Sequence, residues 1–274
     1  MRAPRQHLGN LLIQSDAALS EATLDAVDKV LQAEKLAAAS AGDEPLLVTR
    51  EGLPGARWLS RGQGSNSSNS SLQGNDGSQT GQTQPHGPDV CVWRGDIRRL
   101  RVGACVNAAN ERGLGCFQPG HLCIDNVLHR AAGPRLRAQC RQLMASGRPE
   151  GLRPGGPPIL TLGYQLHADH VLHVTGPTIV PPGRTPTAEE AATLASCYTG
   201  CLRAACEAQL ESVAFCCIST GLFGYPSDAA AACAVDAVLR WLEAEPELAC
   251  TLKVIVFDIF TEADEVAYAR YVPY

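Results

Sequence analysis

Residues 89–274 predict an α/β fold with a central mixed, largely parallel sheet covered on both faces. Three observations predict it: apolar runs recur at strand length, helix-period stretches separate them, and glycine-rich segments follow several of the runs. The runs are Val90–Trp93, Ala104–Asn107, Ile159–Leu162, Val171–Val174, Ser212–Ile218 and Leu252–Phe260. A strand that is apolar at successive positions buries both faces, which calls for helices above and below it. Helical stretches occupy Ile124–Ala145, Ala188–Ala208 and Asp228–Leu242, with a short one starting at Glu262.

Two segments precede this unit. Residues 1–61 read as a helical N-terminal extension, with helix over 7–40. Leu8, Leu11 and Leu12 recur at i, i+3 and i+4, and Ser20 and Thr23 precede the apolar set Leu24, Val27, Val30 and Leu31. Residues 62–88 read as a disordered linker or insertion. Of the 23 residues from 62 to 84, 21 are Gly, Ser, Asn, Gln or Thr, too few of them apolar to support a core.

The chain has 274 residues, of which 45% are apolar and 19% charged, with a formal net charge of −5. Collagen-like and wholly disordered chains lack this apolar content, and no stretch approaches the roughly 18 uninterrupted apolar residues of a membrane span. Mild acidity argues against a generic nucleic-acid binder, which would carry a basic face. The 12 cysteines are expected to be reduced. The start, MRAPRQHLGN, has no apolar run of signal-peptide type, and several cysteines sit in core-like runs such as Val213-Ala214-Phe215-Cys216-Cys217-Ile218. A monomeric cytoplasmic protein is expected; Arg2 and Arg5, with no acid before Asp16, fit either an organellar signal or an ordinary solvated terminus.

In α/β folds the ligand crevice lies beyond the carboxyl ends of the strands. Gly95-Asp96-Ile97 follows the first run, Asn107-Ala108-Ala109-Asn110 ends the second, and Ser219-Thr220-Gly221-Leu222-Phe223-Gly224 follows the fifth. Glycine-rich strand-to-helix loops present backbone N–H groups to phosphates. An aromatic and an acid at neighbouring strand ends can stack on a base and hydrogen-bond to it, so a nucleotide-like diphosphate ligand is expected.

The densest set of chemical groups is Gly115-Cys116-Phe117-Gln118-Pro119-Gly120-His121-Leu122-Cys123-Ile124-Asp125-Asn126. Two thiols and an imidazole within eight residues suit Zn²⁺, and three protein ligands with one open position characterise catalytic sites. The spacing is not that of a zinc finger, and two packing thiols with a solvated loop histidine would read the same way. Asp125 fits a catalytic base or an acid at a helix N-terminus equally well.

These pieces in this order resemble a macrodomain, the ADP-ribose-binding three-layer α/β/α fold, over residues 89–274. More closely they resemble the zinc-dependent branch of protein-ADP-ribosyl hydrolases. Val106-Asn107-Ala108-Ala109-Asn110 is typical of macrodomains generally, whereas the Cys116/His121/Cys123 insert and Phe215-Cys216-Cys217-Ile218-Ser219-Thr220-Gly221 are specific to the zinc branch.

The resemblance implies roles. Asp96 accepts from the adenine amino group, Ile97 supplies a backbone contact and Phe260 packs on the base. Ser219, Thr220, Gly221, Leu222 and Phe223 wrap the diphosphate, Asn110 binds the distal ribose, and Asn107 is a further ADP-ribose contact. Cys116, His121 and Cys123 hold Zn²⁺ beside the distal ribose; with Asn110 and Asp125 they form the catalytic set. The implied reaction is hydrolysis of an ADP-ribosyl group esterified to an Asp or Glu side chain of a mono-ADP-ribosylated protein. A reader that binds ADP-ribose without turnover is the alternative. Two features depart from the family pattern: Gly120 loosens the metal loop, and Gly224 is expected to widen the distal pocket.

Overall fold

The structure, a computed structural model, describes residues 19–40, 44–59, 87–118, 120–148 and 150–271. The expected helix over 7–18 and nearly all of the polar linker lie outside the described residues. Helix α1 (Glu21–Ser40) is followed by β1 (Leu46–Leu47), β2 (Arg57–Trp58), β3 (Asp89–Arg94), a 3-10 turn at Ile97–Arg99, β4 (Leu100–Arg101) and β5 (Ala104–Ala108). Then come α2 (Ile124–Ala132), α3 (Pro134–Gly147), β6 (Ile159–Leu162), β7 (His170–Val174), α4 (Ala188–Glu207) and β8 (Ser212–Phe215). Helix α5 (Ser227–Ala244), α6 (Pro246–Ala249), β9 (Val254–Ile259) and α7 (Glu262–Ala269) complete the chain.

Seven strands form one sheet in the order β2-β3-β9-β8-β5-β7-β6. The five central strands run parallel and only the edge pairs β2–β3 and β6–β7 are antiparallel. Strand alternation sorts the side chains between two helical layers. Asn107 pairs with His173 in register, and both face α2 and α3. Phe215 pairs with Phe257, and both meet Tyr198 of α4 on the other face; Tyr268 of α7 closes this aromatic cluster on Phe257 at 5.4 Å. Burial on both faces explains why the strands lack apolar–polar alternation: all of β9 after Val254 is buried.

Three expectations need correction. The stretch Ile124–Ala145 is two helices, because Gly133 takes a left-handed φ of +85° at the end of α2 and Pro134 starts α3. The run Ser212–Ile218 leaves the sheet at Phe215, which frees the next residues to turn into the ligand loop. The segment before the polar stretch is not purely helical: Arg57–Trp58 pairs with Cys91–Val92 and supplies the edge strand. The strands on either side of the polar stretch are thus neighbours in one sheet.

Helix α1 docks beside the sheet through buried Leu24 and Val27. The Arg135 guanidinium of α3 ties it to α1, donating to Asp28 at 2.7 Å, to Glu21 at 3.0 Å and to Asp25. Lys35 reaches the Leu166 carbonyl at 3.1 Å.

Candidate active site

The parallel strands β3, β5, β8 and β9 all end on one cleft of about 380 Å³, within the size range of small-ligand sites. Its floor comes from Ala108–Asn110 beyond β5, Cys216 and Cys217 beyond β8, and Asp258 in β9; Ser219–Phe223 and the Cys116–Asp125 loop form opposite walls.

The diphosphate-type loop is built by a close approach. Ser219 adopts φ +67°, a strained conformation for a residue with a side chain. Its hydroxyl packs on Gly176, where a Cβ would come within 2.1 Å of Oγ, so only glycine fits. Tyr225 N–H donates to the Ser219 carbonyl and Gly224 N–H to that of Gly221, folding the loop on itself. Among the described residues, no backbone carbonyl accepts from the N–H groups of 219–223, which leaves them available to an anion. Gly224 does not line the cleft. It stands at φ +68° with Pro182 within 2.9 Å of where its Cβ would be, so its small size serves loop geometry rather than a wider pocket.

At the base-type end, Asp96 caps the 3-10 turn by accepting from Arg98 N–H at 3.0 Å and from the Arg98 guanidinium. Burial opposes its charge, but the Arg98 bonds and the Arg98 and Arg99 charges outweigh burial and hold its pKa below the ordinary value. Asp258, also lining the cleft, is buried; desolvation first, and the neighbouring Asp96 charge second, push its pKa well up. Phe260 is 73% exposed and Leu222 74%, two large apolar groups left open at the cleft.

Cys116, His121 and Cys123 place their ligand atoms within 4.8 Å of one another. The Cys116 sulfur lies 3.4 Å from His121 Nδ1. Tetrahedral zinc, with bonds of about 2.3 Å to sulfur and about 2.0 Å to nitrogen, sets a sulfur–nitrogen separation of about 3.6 Å, so the donor set fits. Cys123 is also the N-cap of α2, its sulfur accepting from Asn126 N–H at 3.4 Å. Partial burial first, with the facing Cys116 sulfur, pushes the Cys123 thiol up to about 11; the Asn126 bond works the other way, and a cation would reverse the balance. Phe117 anchors the loop under two guanidiniums, Arg137 at 4.3 Å and Arg112 at 5.2 Å from its ring centre.

Asp125 sits in the first turn of α2 with its carboxyl in the cleft wall. Asn107 donates to Oδ1 at 2.8 Å and Asn110 to Oδ2 at 3.1 Å. Burial raises its pKa to about 6 despite those two bonds and the Arg137 charge.

The Macro domain profile matches residues 106–234. A Staphylococcus aureus (strain COL) protein-ADP-ribose hydrolase is 44% identical over 180 residues, 65% of this chain and 64% of its own. A relative from Fusarium oxysporum f. sp. cubense, named for both an ADP-ribose hydrolase and an ADP-ribosyltransferase, is 45% identical over 187 residues. The match takes 66% of this chain and 30% of that one. The chain thus spans less than two thirds of the length of these relatives. The Trypanosoma brucei macrodomain solved in complex with ADP-ribose superposes with a TM-score of 0.55 at 33% identity, over 67% of this chain and 68% of that one. This chain belongs to the macro domain family.

Of the site residues read from the sequence, the macrodomain cleft gathers Asp96, Ile97, Asn110, Cys116, His121, Cys123, Asp125, Phe260 and the whole 219–223 loop. Asn107 is the exception. It is fully buried behind the wall, spending its amide on Asp125 and His173 instead of reaching a ligand. Asp258 also lines the cleft; it carries no role in the sequence reading of the run Leu252–Phe260, where an acid inside an apolar strand is the signal that points to it. Besides the metal-type triad, His129, Cys140 and His173 cluster among buried residues. Both His173 ring nitrogens already have side-chain partners, and none of the three residues lines the cleft. All 12 cysteines are free, and Cys250 is exposed instead of packed.

Proposed function

We propose that this macrodomain is a zinc-dependent hydrolase that releases ADP-ribose from mono-ADP-ribosylated protein side chains, acting on Asp- and Glu-linked esters. The observation that carries the reading is the convergence on one cleft of a backbone-lined phosphate loop, the Cys116/His121/Cys123 triad and the Asn110–Asp125 pair.

The Ser219–Phe223 loop would hold the diphosphate through backbone N–H groups, so no basic surface is required. Asp96 would accept from the adenine amino group while Phe260 covers the base. With those contacts made, the distal ribose would fall between Asn110 and the triad. Asn110, held by Asp125 and also donating to the Gly115 carbonyl at 3.2 Å, would orient the ribose hydroxyls. Asp125 would accept a proton from the attacking water as the carboxylate leaves the anomeric carbon. Cys116, His121 and Cys123 would hold Zn²⁺, which when bound would supply Lewis acidity toward an oxygen or a water.

Incubation of the protein with an aspartate- or glutamate-linked ADP-ribosylated substrate tests the reading. Release of free ADP-ribose that stops on chelation and returns with zinc is expected. Unchanged substrate at saturating zinc, with ADP-ribose still bound, would assign a reader instead.

A further inference from the structure

Behind the cleft wall, hydrogen bonds run from Asp125 through three buried side chains to the edge strand β6. Asn107 Nδ2 lies 2.8 Å from Asp125 Oδ1 and 3.0 Å from His173 Nδ1. His173 Nε2 lies 3.0 Å from Thr161 Oγ1, which in turn lies 3.4 Å from the Val171 carbonyl. Asn107, Thr161 and His173 are all buried.

Proton counting fixes the direction of this chain. A backbone carbonyl only accepts, so the Thr161 hydroxyl donates to Val171 and its oxygen accepts from His173 Nε2–H. A neutral imidazole protonated at Nε2 accepts at Nδ1. Nδ1 takes one N–H of Asn107, and the other N–H goes to Asp125. The opposite tautomer would point Nδ1–H at the Asn107 amide nitrogen, setting two donors against each other. The amide would then turn its oxygen toward the Asp125 carboxylate. Asn107 Oδ1 has no hydrogen-bond partner among the described residues. An unpaired buried oxygen is destabilising, so core stability does not account for an asparagine here, whereas its two donated bonds do.

We infer that Thr161 and His173, which do not line the cleft, are positioning residues for the proposed hydrolysis, holding Asp125 in place through Asn107. The inference rests on the proposed role of Asp125.

Two measurements test it on the full chain with zinc bound. The first compares Thr161→Val, which is close in shape, with Thr161→Ser, which keeps the hydroxyl. Thr161→Val is expected to lower kcat about 5- to 10-fold, since small displacements of reacting groups cost this much or more, while KM and ADP-ribose affinity stay within about twofold. Thr161→Ser is expected to restore kcat to within about twofold of the unsubstituted protein. An unchanged kcat in Thr161→Val, or an equal loss in both variants, overturns the inference. So does a loss of ADP-ribose affinity that matches the loss of kcat. The second measurement is the ¹⁵N spectrum of the unsubstituted protein, which reads the His173 tautomer without turnover. Nε2–H is expected, and Nδ1–H overturns the chain of bonds. An inactive protein with the Nε2–H tautomer would sink the hydrolase reading and, with it, the inferred positioning role, while leaving the bonds themselves standing.

Discussion

Asn110 donates its side-chain amide to Asp125 at 3.1 Å, across a loop of 14 residues that carries both thiols of the triad. This bond ties the segment just after β5 to the start of α2, so the metal-type loop is pinned at its two ends by residues that also line the cleft.

Asp125→Asn is expected to abolish most turnover. The asparagine offers one acceptor oxygen where Asn107 and Asn110 both donate, and it cannot take a proton from water. A loss of about 10²–10³-fold in kcat follows from removing a general base. ADP-ribose binding, measured by calorimetry, should stay within a few-fold because the diphosphate and base contacts are elsewhere. Turnover within tenfold of the unsubstituted protein would count against Asp125 as the base.

Cys123 has two jobs that one substitution can separate. It caps α2 and belongs to the metal-type triad. Serine is a good N-cap but a poor zinc ligand. Cys123→Ser should therefore keep the melting temperature within a few degrees while bound zinc drops from about one per chain to near zero and hydrolysis is lost. If zinc instead only shapes the loop, melting temperature and activity will fall together.

How much of this could be read from residues alone depends on sequence distance. That the 219–223 loop and the Cys116/His121/Cys123 triad share one cleft is legible in the sequence because each is contiguous, and strand ends place contiguous loops at one edge. The Asn107–His173–Thr161 chain was not, because its members are separated by up to 66 residues and meet only through the β5–β7 and β6–β7 pairings. The edge strand Arg57–Trp58 escaped notice for another reason: two half-buried residues carry no measurable period. Helix α2 was run into α3 although Gly133-Pro134 spelled the break, since the apolar spacing continues across it.

Phe260 should be a ligand contact with no structural cost. It is 73% exposed, so truncating it removes little packing. Phe260→Ala is expected to change unfolding free energy by less than about 0.5 kcal/mol. Base–aromatic stacking contributes about 1–3 kcal/mol, so ADP-ribose affinity should fall about 5- to 150-fold. A titration showing unchanged affinity would remove Phe260 from the base site.

His173 makes a stability prediction that is independent of turnover. Burial lowers its pKa from 6.5 to about 3, so the folded protein holds it neutral. Below pH 6.5 the unfolded chain gains a proton that the folded chain refuses. The stability associated with the neutral ring is thus complete above pH 6.5 and is lost as pH falls toward 3. At about pH 5 the loss amounts to roughly 2 kcal/mol. His173→Gln removes this proton linkage while leaving His129 in both proteins; burial is the first cause of the His129 shift, so most of its contribution cancels, apart from the part due to the His173 charge. The variant should be less stable than the parent at about pH 8, and urea unfolding should show that deficit shrinking by roughly 2 kcal/mol at about pH 5. A deficit that stays constant between the two pH values would mean that His173 is not held neutral in the folded protein.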